Sequence, residues 1–224
     1  MVGFDLDGTL LDHEQAARIG IDHFLIEHGW SHPGNAGADW LRLESIHFGD
    51  YAAGRISITE QRRRRMAGLV EAVGADQDGH DVEGLFERYL AHYESAWTPY
   101  ADVVGTLDQL QAMGMRLAVL TNGQSLQQVA KLRSMGILDR FEVVLAADDL
   151  PAFKPSVGAF ARLCDALGQP AGSVVYVGDD LNADVHGARN AGLRPVWIDR
   201  FGDNAAPAGV PVISTLDELP ALLG

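Results

Sequence analysis

From about residue 100 the chain alternates short runs of Val, Leu and Ile with stretches of helical spacing. Apolar runs fall at 116–120, 143–145, 174–177 and 195–198, and helices are predicted at 103–113, 125–134, 159–167 and 182–191. Strands that are apolar throughout and separated by helices predict a parallel sheet covered on both faces. One more such strand, residues 2–6, stands alone at the amino terminus and runs into the turn residues Asp7, Gly8 and Thr9. Between the two lies a block, residues 13–98, with no strand pattern. Helices are predicted there at 16–28, 40–48, 59–73 and 82–97, separated by glycine-containing turns. Thr98-Pro99 closes the block, because the residue before a proline is driven out of the helical region. The helical block therefore reads as an insertion into an α/β domain.

The polar and glycine-rich segments follow the strands: Asp7-Gly8-Thr9, Thr121-Asn122-Gly123, residues 147–154 and residues 178–184. Ligands of open α/β sheets bind at the carboxyl ends of strands, so these separated segments are expected at one edge. Asp5 and Asp7 are two apart at a strand end, where an extended backbone points both side chains the same way. Asp179, Asp180 and Asp184 follow another strand end. Each aspartate alone is as well explained as a cap or turn residue. Gathered together, they repel one another and need a cation. Oxygen ligands with no His or Cys motif suit Mg²⁺ and not zinc. Thr121-Asn122-Gly123 offers a hydroxyl and backbone N–H groups at a helix start, which is an anion site. Lys154 precedes Pro155, and proline favours the first helical position, which would put the ammonium at the same edge. By itself it would be an ordinary surface charge. The chain has lysine only at Lys131 and Lys154, however, and otherwise uses arginine. An anion held between Mg²⁺, a lysine and a helix terminus, with a carboxylate in line, is the layout for phosphoryl transfer through an aspartyl phosphate.

Asp5-Leu6-Asp7-Gly8-Thr9-Leu10, Thr121-Asn122-Gly123, Lys154-Pro155 and Val177-Gly178-Asp179-Asp180 with Asp184 resemble, in that order, the motifs of the haloacid dehalogenase (HAD) superfamily. The resemblance spans essentially the whole chain. It implies an α/β fold, a Rossmann-like three-layer core with a parallel sheet, plus an inserted all-α helical-bundle cap. Residues 1–12 and 99–224 would form the core and residues 13–98 the cap. It implies that Asp5 is the nucleophile and that Asp7 protonates the leaving alcohol and then activates water. Thr121, Asn122, Gly123 and Lys154 would bind the phosphoryl group. Asp5, the backbone carbonyl of Asp7, and Asp179 would ligate a Mg²⁺ cofactor, with Asp180 and Asp184 behind them and Asp184 orienting Lys154 or a metal-bound water.

The function so implied is Mg²⁺-dependent hydrolysis of a small phosphate monoester of the nucleotide, sugar phosphate or phosphoglycolate type. A β-phosphoglucomutase-like phosphotransferase carries the same motifs and is the alternative. A catalytically silent binding protein on the same fold is a third reading, disfavoured because no motif residue is missing. Asp7 argues against the dehalogenase branch, which lacks a second aspartate in its first motif. The absence of lysine from residues 13–98 argues against the phosphonatase branch, which needs one in its cap. Only Met1, Val2, Gly3 and Phe4 precede Asp5, fewer than the family usually has, so either the first strand is expected to be short or the true start to lie upstream.

Composition bounds the partners. A net charge of −14, with 17 Lys+Arg against 31 Asp+Glu, disfavours a nucleic acid polymer and leaves a small partner, which the resemblance implies is a phosphorylated metabolite. No apolar run suggests a membrane span or signal peptide. The lone Cys164 fits a reducing, cytoplasmic setting. Both a monomer and a homodimer fit.

Within the helical block the arginines at 62–65 point in successive directions around a helix and are expected on a solvated face. Trp30, Trp40 and Trp97 are expected in a helical core, and Arg42, Glu44 and Arg55 are candidate polar contacts. A cap over a core edge would hinge near residues 12–14 and 98–100.

Overall fold

The computed structural model describes residues 1–75, 81–202 and 207–224. Its strands are β1 (Val2–Phe4), β2 (Leu117–Leu120), β3 (Val143–Leu145), β4 (Val175–Gly178), β5 (Arg194–Ile198) and β6 (Val212–Ile213). They pair in parallel in the order β3-β2-β1-β4-β5-β6. Phe4 is in register with Val119 and Val177, and Leu120 with Leu145. The segments beginning at Asp5, Thr121, Ala146 and Asp179 therefore leave the sheet at one edge. The strand order reverses between β1 and β4, the switch point at which such sheets open a crevice. β1 is three residues long and ends at Phe4, two residues before the predicted end of the strand at residue 6. The two-residue β6 is too brief to carry a strand pattern of its own.

The chain divides into two compact units, Met1–Asp12 with Thr98–Gly224, and His13–Trp97. The second unit is helical: α1 (His13–His28), α2 (Ala36–Ala52), α3 (Ile58–Ala72) and α4 (Val82–Ser95). α2 begins earlier than the apolar spacing predicts, because Asn35 Oδ1 accepts from Ala38 N at 2.9 Å and caps the helix there. Phe24, Trp40, Met66, Leu69, Phe86 and Tyr89 fill its interior, with Trp30 and Trp97 packed at the margin.

The arginine run corrects the sequence-based expectation of a solvated face. Arg63 and Arg64 are exposed and pair with Glu60, but Arg65 is buried, 4.3 Å over the Trp40 ring and 3.1 Å from Glu44. Helical phase decides this: Arg65 falls on the inward stripe with Gln61, Met66 and Leu69. Of the candidate polar contacts, Arg42 pairs with Asp39 and Arg55 with Asp50 on the surface. Glu44 bridges Arg65 and His13.

The first unit carries the sheet and the helices α5 (Val103–Ala112), α6 (Ser125–Ser134), α7 (Val157–Leu167), α8 (Gly187–Asn190) and α9 (Leu219–Leu223). Ala118, Leu120 and Tyr176 on one sheet face pack against Phe160, Leu163, Leu167 and Ala188 of α7 and α8. The α7 start differs from expectation. Ser156, not Pro155, sets it, its Oγ accepting from Gly158 N at 3.2 Å, and Pro155 follows a cis peptide bond from Lys154. The stretch Leu181–His186 before α8 is π-helical, with Val185 N donating to Asp180 O. The chain leaves and re-enters this unit through paired segments: Asp12 N donates to Thr98 O and Tyr100 N to Leu10 O. No described helix is long and apolar enough to cross a membrane.

Candidate active site

β1 delivers Asp5 into a nearly dry environment, 7% exposed, where its main-chain N donates to Val177 O at 2.9 Å. Lys154 reaches it from the loop after β3. Its Nζ spends all three of its protons, on Asp5 Oδ1 at 2.5 Å, Asp184 Oδ1 at 2.7 Å and the Tyr176 hydroxyl at 3.0 Å. Tyr176 donates in turn to Leu120 O at 2.8 Å, which ties this network to the sheet. Burial pulls the Lys154 ammonium down, but Asp184 and Asp5 outweigh it and hold it well above the ordinary lysine range. Burial pushes Asp5 well up, opposed by Lys154 and reinforced by Asp184 and Asp179.

β4 delivers Asp179, fixed at two points. Thr9 Oγ1 donates to its Oδ1 at 3.0 Å, and Trp197 Nε1 donates to its carbonyl at 2.9 Å. Burial, with Asp184 adding to it, pushes Asp179 up to about 7. Gly8 is required beside it: its φ is +88°, and a Cβ there would stand 2.4 Å from Asp179 Oδ2. Gly178 is required for a similar reason, since a Cβ would stand 2.3 Å from Asp184 Cγ. Asp180 does not join the cluster. It is exposed, and its Oδ1 accepts from Asn182 N and Ala183 N at 2.7 Å as the cap of the π-helical stretch.

Carboxylate oxygens of Asp5, Asp179 and Asp184 lie within 4.8 Å of one another. The donor set is all oxygen; burial raises all three acids, and the charge of Asp184 adds to this at Asp5 and Asp179, which a divalent cation would relieve. These residues fit Mg²⁺. Asp184 is the most committed of the three: Oδ1 takes Lys154 and Oδ2 takes Asp180 N at 3.0 Å.

The extended backbone that the spacing of Asp5 and Asp7 suggests does not continue through them. The strand ends at Phe4 and the chain turns through Gly8, with Leu10 N and Leu11 N both donating to Leu6 O. Each aspartate instead has its own buried lysine. Lys131 Nζ lies 2.7 and 2.9 Å from the two Asp7 oxygens, and Gln128 Nε2 donates to Asp7 Oδ2 at 2.9 Å. Both residues come from α6, and the sequence reading gave neither a role.

Thr121 is buried at the end of β2, its Oγ1 accepting from Gln128 Nε2 at 3.0 Å and from Gly123 N at 3.3 Å. Asn122 does not offer its amide to a ligand. Oδ1 accepts from Lys154 N at 2.8 Å and Nδ2 donates to Lys154 O at 3.0 Å, so the side chain clasps the lysine's backbone. At Gly123 a Cβ would stand 1.8 Å from Gln128 Nε2.

The protein is thus a Rossmann-type parallel sheet with a buried carboxylate–lysine–carboxylate array at its switch point. The match to known proteins makes this specific. The haloacid dehalogenase-like hydrolase family model matches residues 1–192, and the chain belongs to that family. N-acylneuraminate-9-phosphatase of Rattus norvegicus is 30% identical over 99% of this chain and 92% of its own length. Phosphoglycolate phosphatase of Caulobacter vibrioides is 30% identical over 92% of this chain and 81% of its own length. The HAD-hydrolase YfnB of Bacillus subtilis, solved with magnesium bound, shares the fold at 23% identity, with a TM-score of 0.85 over 100% of this chain and 97% of its own. The chain is an enzyme, a phosphoric monoester hydrolase.

Proposed function

We propose that the protein hydrolyses a small phosphate monoester in a Mg²⁺-dependent reaction through a phosphorylated Asp5. The observation that carries this reading is the buried contact of Lys154 with both Asp5 and Asp184, beside Asp179. Asp5, Asp179 and the main-chain oxygen of Asp7 would hold the ion, with Asp184 behind them. When bound, Mg²⁺ supplies positive charge against the phosphoryl oxygens and aligns them with the nucleophile. Lys154, expected from the resemblance on the phosphoryl group, has all three protons committed to Asp5, Asp184 and Tyr176, so it would add positive charge beside the nucleophile while holding Asp5 in one orientation. Thr121 Oγ1 and the N–H groups of Asn122 and Gly123 would bind the remaining phosphoryl oxygens.

Asp5 Oδ attacks phosphorus and the ester P–O bond breaks, the departing alkoxide taking a proton from Asp7 once that carboxylate, ion-paired with Lys131 in the free site, has itself been protonated. Water then gives a proton to Asp7 and attacks phosphorus, and the acyl phosphate P–O bond breaks to release inorganic phosphate and restore the Asp5 carboxylate. The helical unit His13–Trp97 would serve as the cap that selects the alcohol half and excludes bulk water.

The test is a panel of phosphate esters assayed with Mg²⁺ and with chelator. Phosphoglycolate and the 9-phosphate of an N-acylneuraminate head the panel, with nucleoside monophosphates and sugar phosphates beside them. Metal-dependent phosphate release that vanishes in Asp5→Asn is expected. Isomerisation of a sugar 1-phosphate without phosphate release would favour the phosphotransferase, and release that ignores chelator would overturn the reading.

A further inference from the structure

Gln128 and Lys131 are buried, 1% and 2% exposed, and lie three residues apart on α6, so both face the same way. That face of the helix would ordinarily be apolar, as Leu132 beside it is. A buried ammonium is strongly unfavourable without a partner, and its partner here is the whole Asp7 carboxylate, gripped at both oxygens. The Gln128 amide nitrogen bridges Asp7 Oδ2 and Thr121 Oγ1, two groups 114 residues apart in sequence. Glycine at 123 leaves the space this amide occupies.

We propose that Gln128 and Lys131 are positioning residues that fix Asp7 relative to the Thr121 hydroxyl, and hence the proton donor relative to the phosphoryl group. The inference rests on the proposed function. In its terms, Lys131 sets where the Asp7 carboxyl can point, and Gln128 sets the separation between that carboxyl and the phosphoryl anchor. Losing Lys131 disturbs proton delivery to the leaving group. Losing Gln128 disturbs that and phosphoryl binding together.

A comparison of two esters isolates this role. A nitrophenolate departs without needing a proton, whereas an alkoxide needs one. Lys131→Met keeps the length of the side chain and removes its charge. It is expected to lower kcat on an alkyl phosphate by about a hundredfold, the scale of general acid catalysis. On nitrophenyl phosphate kcat should fall by less than about tenfold, and KM for both esters should stay within about twofold. In an Asp7→Asn background, Lys131→Met should cause no further loss. Gln128→Leu should raise KM as well as lower kcat, and it carries the comparison if Lys131→Met does not fold. Equal losses on the two esters, or a full further loss on top of Asp7→Asn, would overturn the inference and leave Lys131 as packing. A wild type that releases phosphate from neither ester overturns the proposed function, and this inference with it. An active wild type with unaltered variants overturns the inference alone.

Discussion

The amide of Asn122 holds the backbone of Lys154 from both sides, accepting from its N at 2.8 Å and donating to its O at 3.0 Å. The turn after β2 and the lysine loop after β3 are thereby one unit. Whatever places Thr121 also places the ammonium that reaches Asp5.

Asn122→Ala should remove both hydrogen bonds while leaving the backbone N–H groups of the turn. Two such bonds are worth about 1–3 kcal/mol, a drop in Tm of roughly 2–10 °C for a chain of this size. The activity should suffer more than the stability, with kcat reduced about tenfold or more because Lys154 loses its fixed approach. Steady-state kinetics beside a thermal melt check this, and a variant that melts lower with unaltered kcat would contradict it.

Lys154→Met should strand Asp5 and Asp184 in the interior without their cation. Breaking a buried pair in this way costs about 3–5 kcal/mol. Burial raises both acids, so they take up protons as the pH falls, and the neutral carboxyls no longer need the lysine. The stability difference from wild type, measured by urea unfolding without metal, should therefore be largest near pH 8 and shrink towards pH 5. A difference independent of pH would contradict the account.

On the proposed function, Asp179 would give Mg²⁺ binding its pH dependence. Burial, then Asp184, raises its folded pKa from an ordinary 3.8 to about 7. A raised folded value means the metal-free fold holds this proton more tightly than the unfolded chain does. The stability it contributes is complete below about pH 4 and is lost as the pH rises through about 7. Mg²⁺ competes for the same carboxylate, so its apparent affinity should fall up to about tenfold per pH unit below 7. The Mg²⁺-induced rise in Tm should be larger at pH 8 than at pH 6, and a pH-independent rise would contradict the prediction.

The motifs of this site were legible because each lies in a short contiguous run at a strand end, where residue type and position already carry the chemistry. What was not legible depends on partners distant in sequence. Lys131 and Asp7 are 124 residues apart, and nothing local in α6 marks Lys131 as inward-facing. Tyr176 reads as one more apolar strand residue, and only the side-chain alternation along β4 turns its hydroxyl towards Lys154. The resemblance puts Asn122 on the phosphoryl group. Its commitment to Lys154 follows from the approach of two loops, which a linear pattern does not encode. The sheet was readable from its apolar runs except at β6, where two residues leave no periodicity.

The arginine run in α3 gives a contrast testable without any substrate. Arg63 and Arg64 form exposed pairs, and each change to Ala should shift stability by less than about 0.5 kcal/mol. Arg65→Ala removes a buried cation from Glu44 and from the face of Trp40, and should cost about 3 kcal/mol or more. Denaturant melts of the three variants decide it, and an Arg65→Ala protein as stable as the other two would show that its burial is incidental.

The most direct measurement is an acid-quenched single turnover with an ester radiolabelled at phosphorus, followed by peptide mapping of the protein. A Mg²⁺-dependent label that appears and decays on the Asp5 peptide, and is absent from Asp5→Asn, is the predicted result. Phosphate released in the same turnover with no label ever on Asp5 would contradict the account.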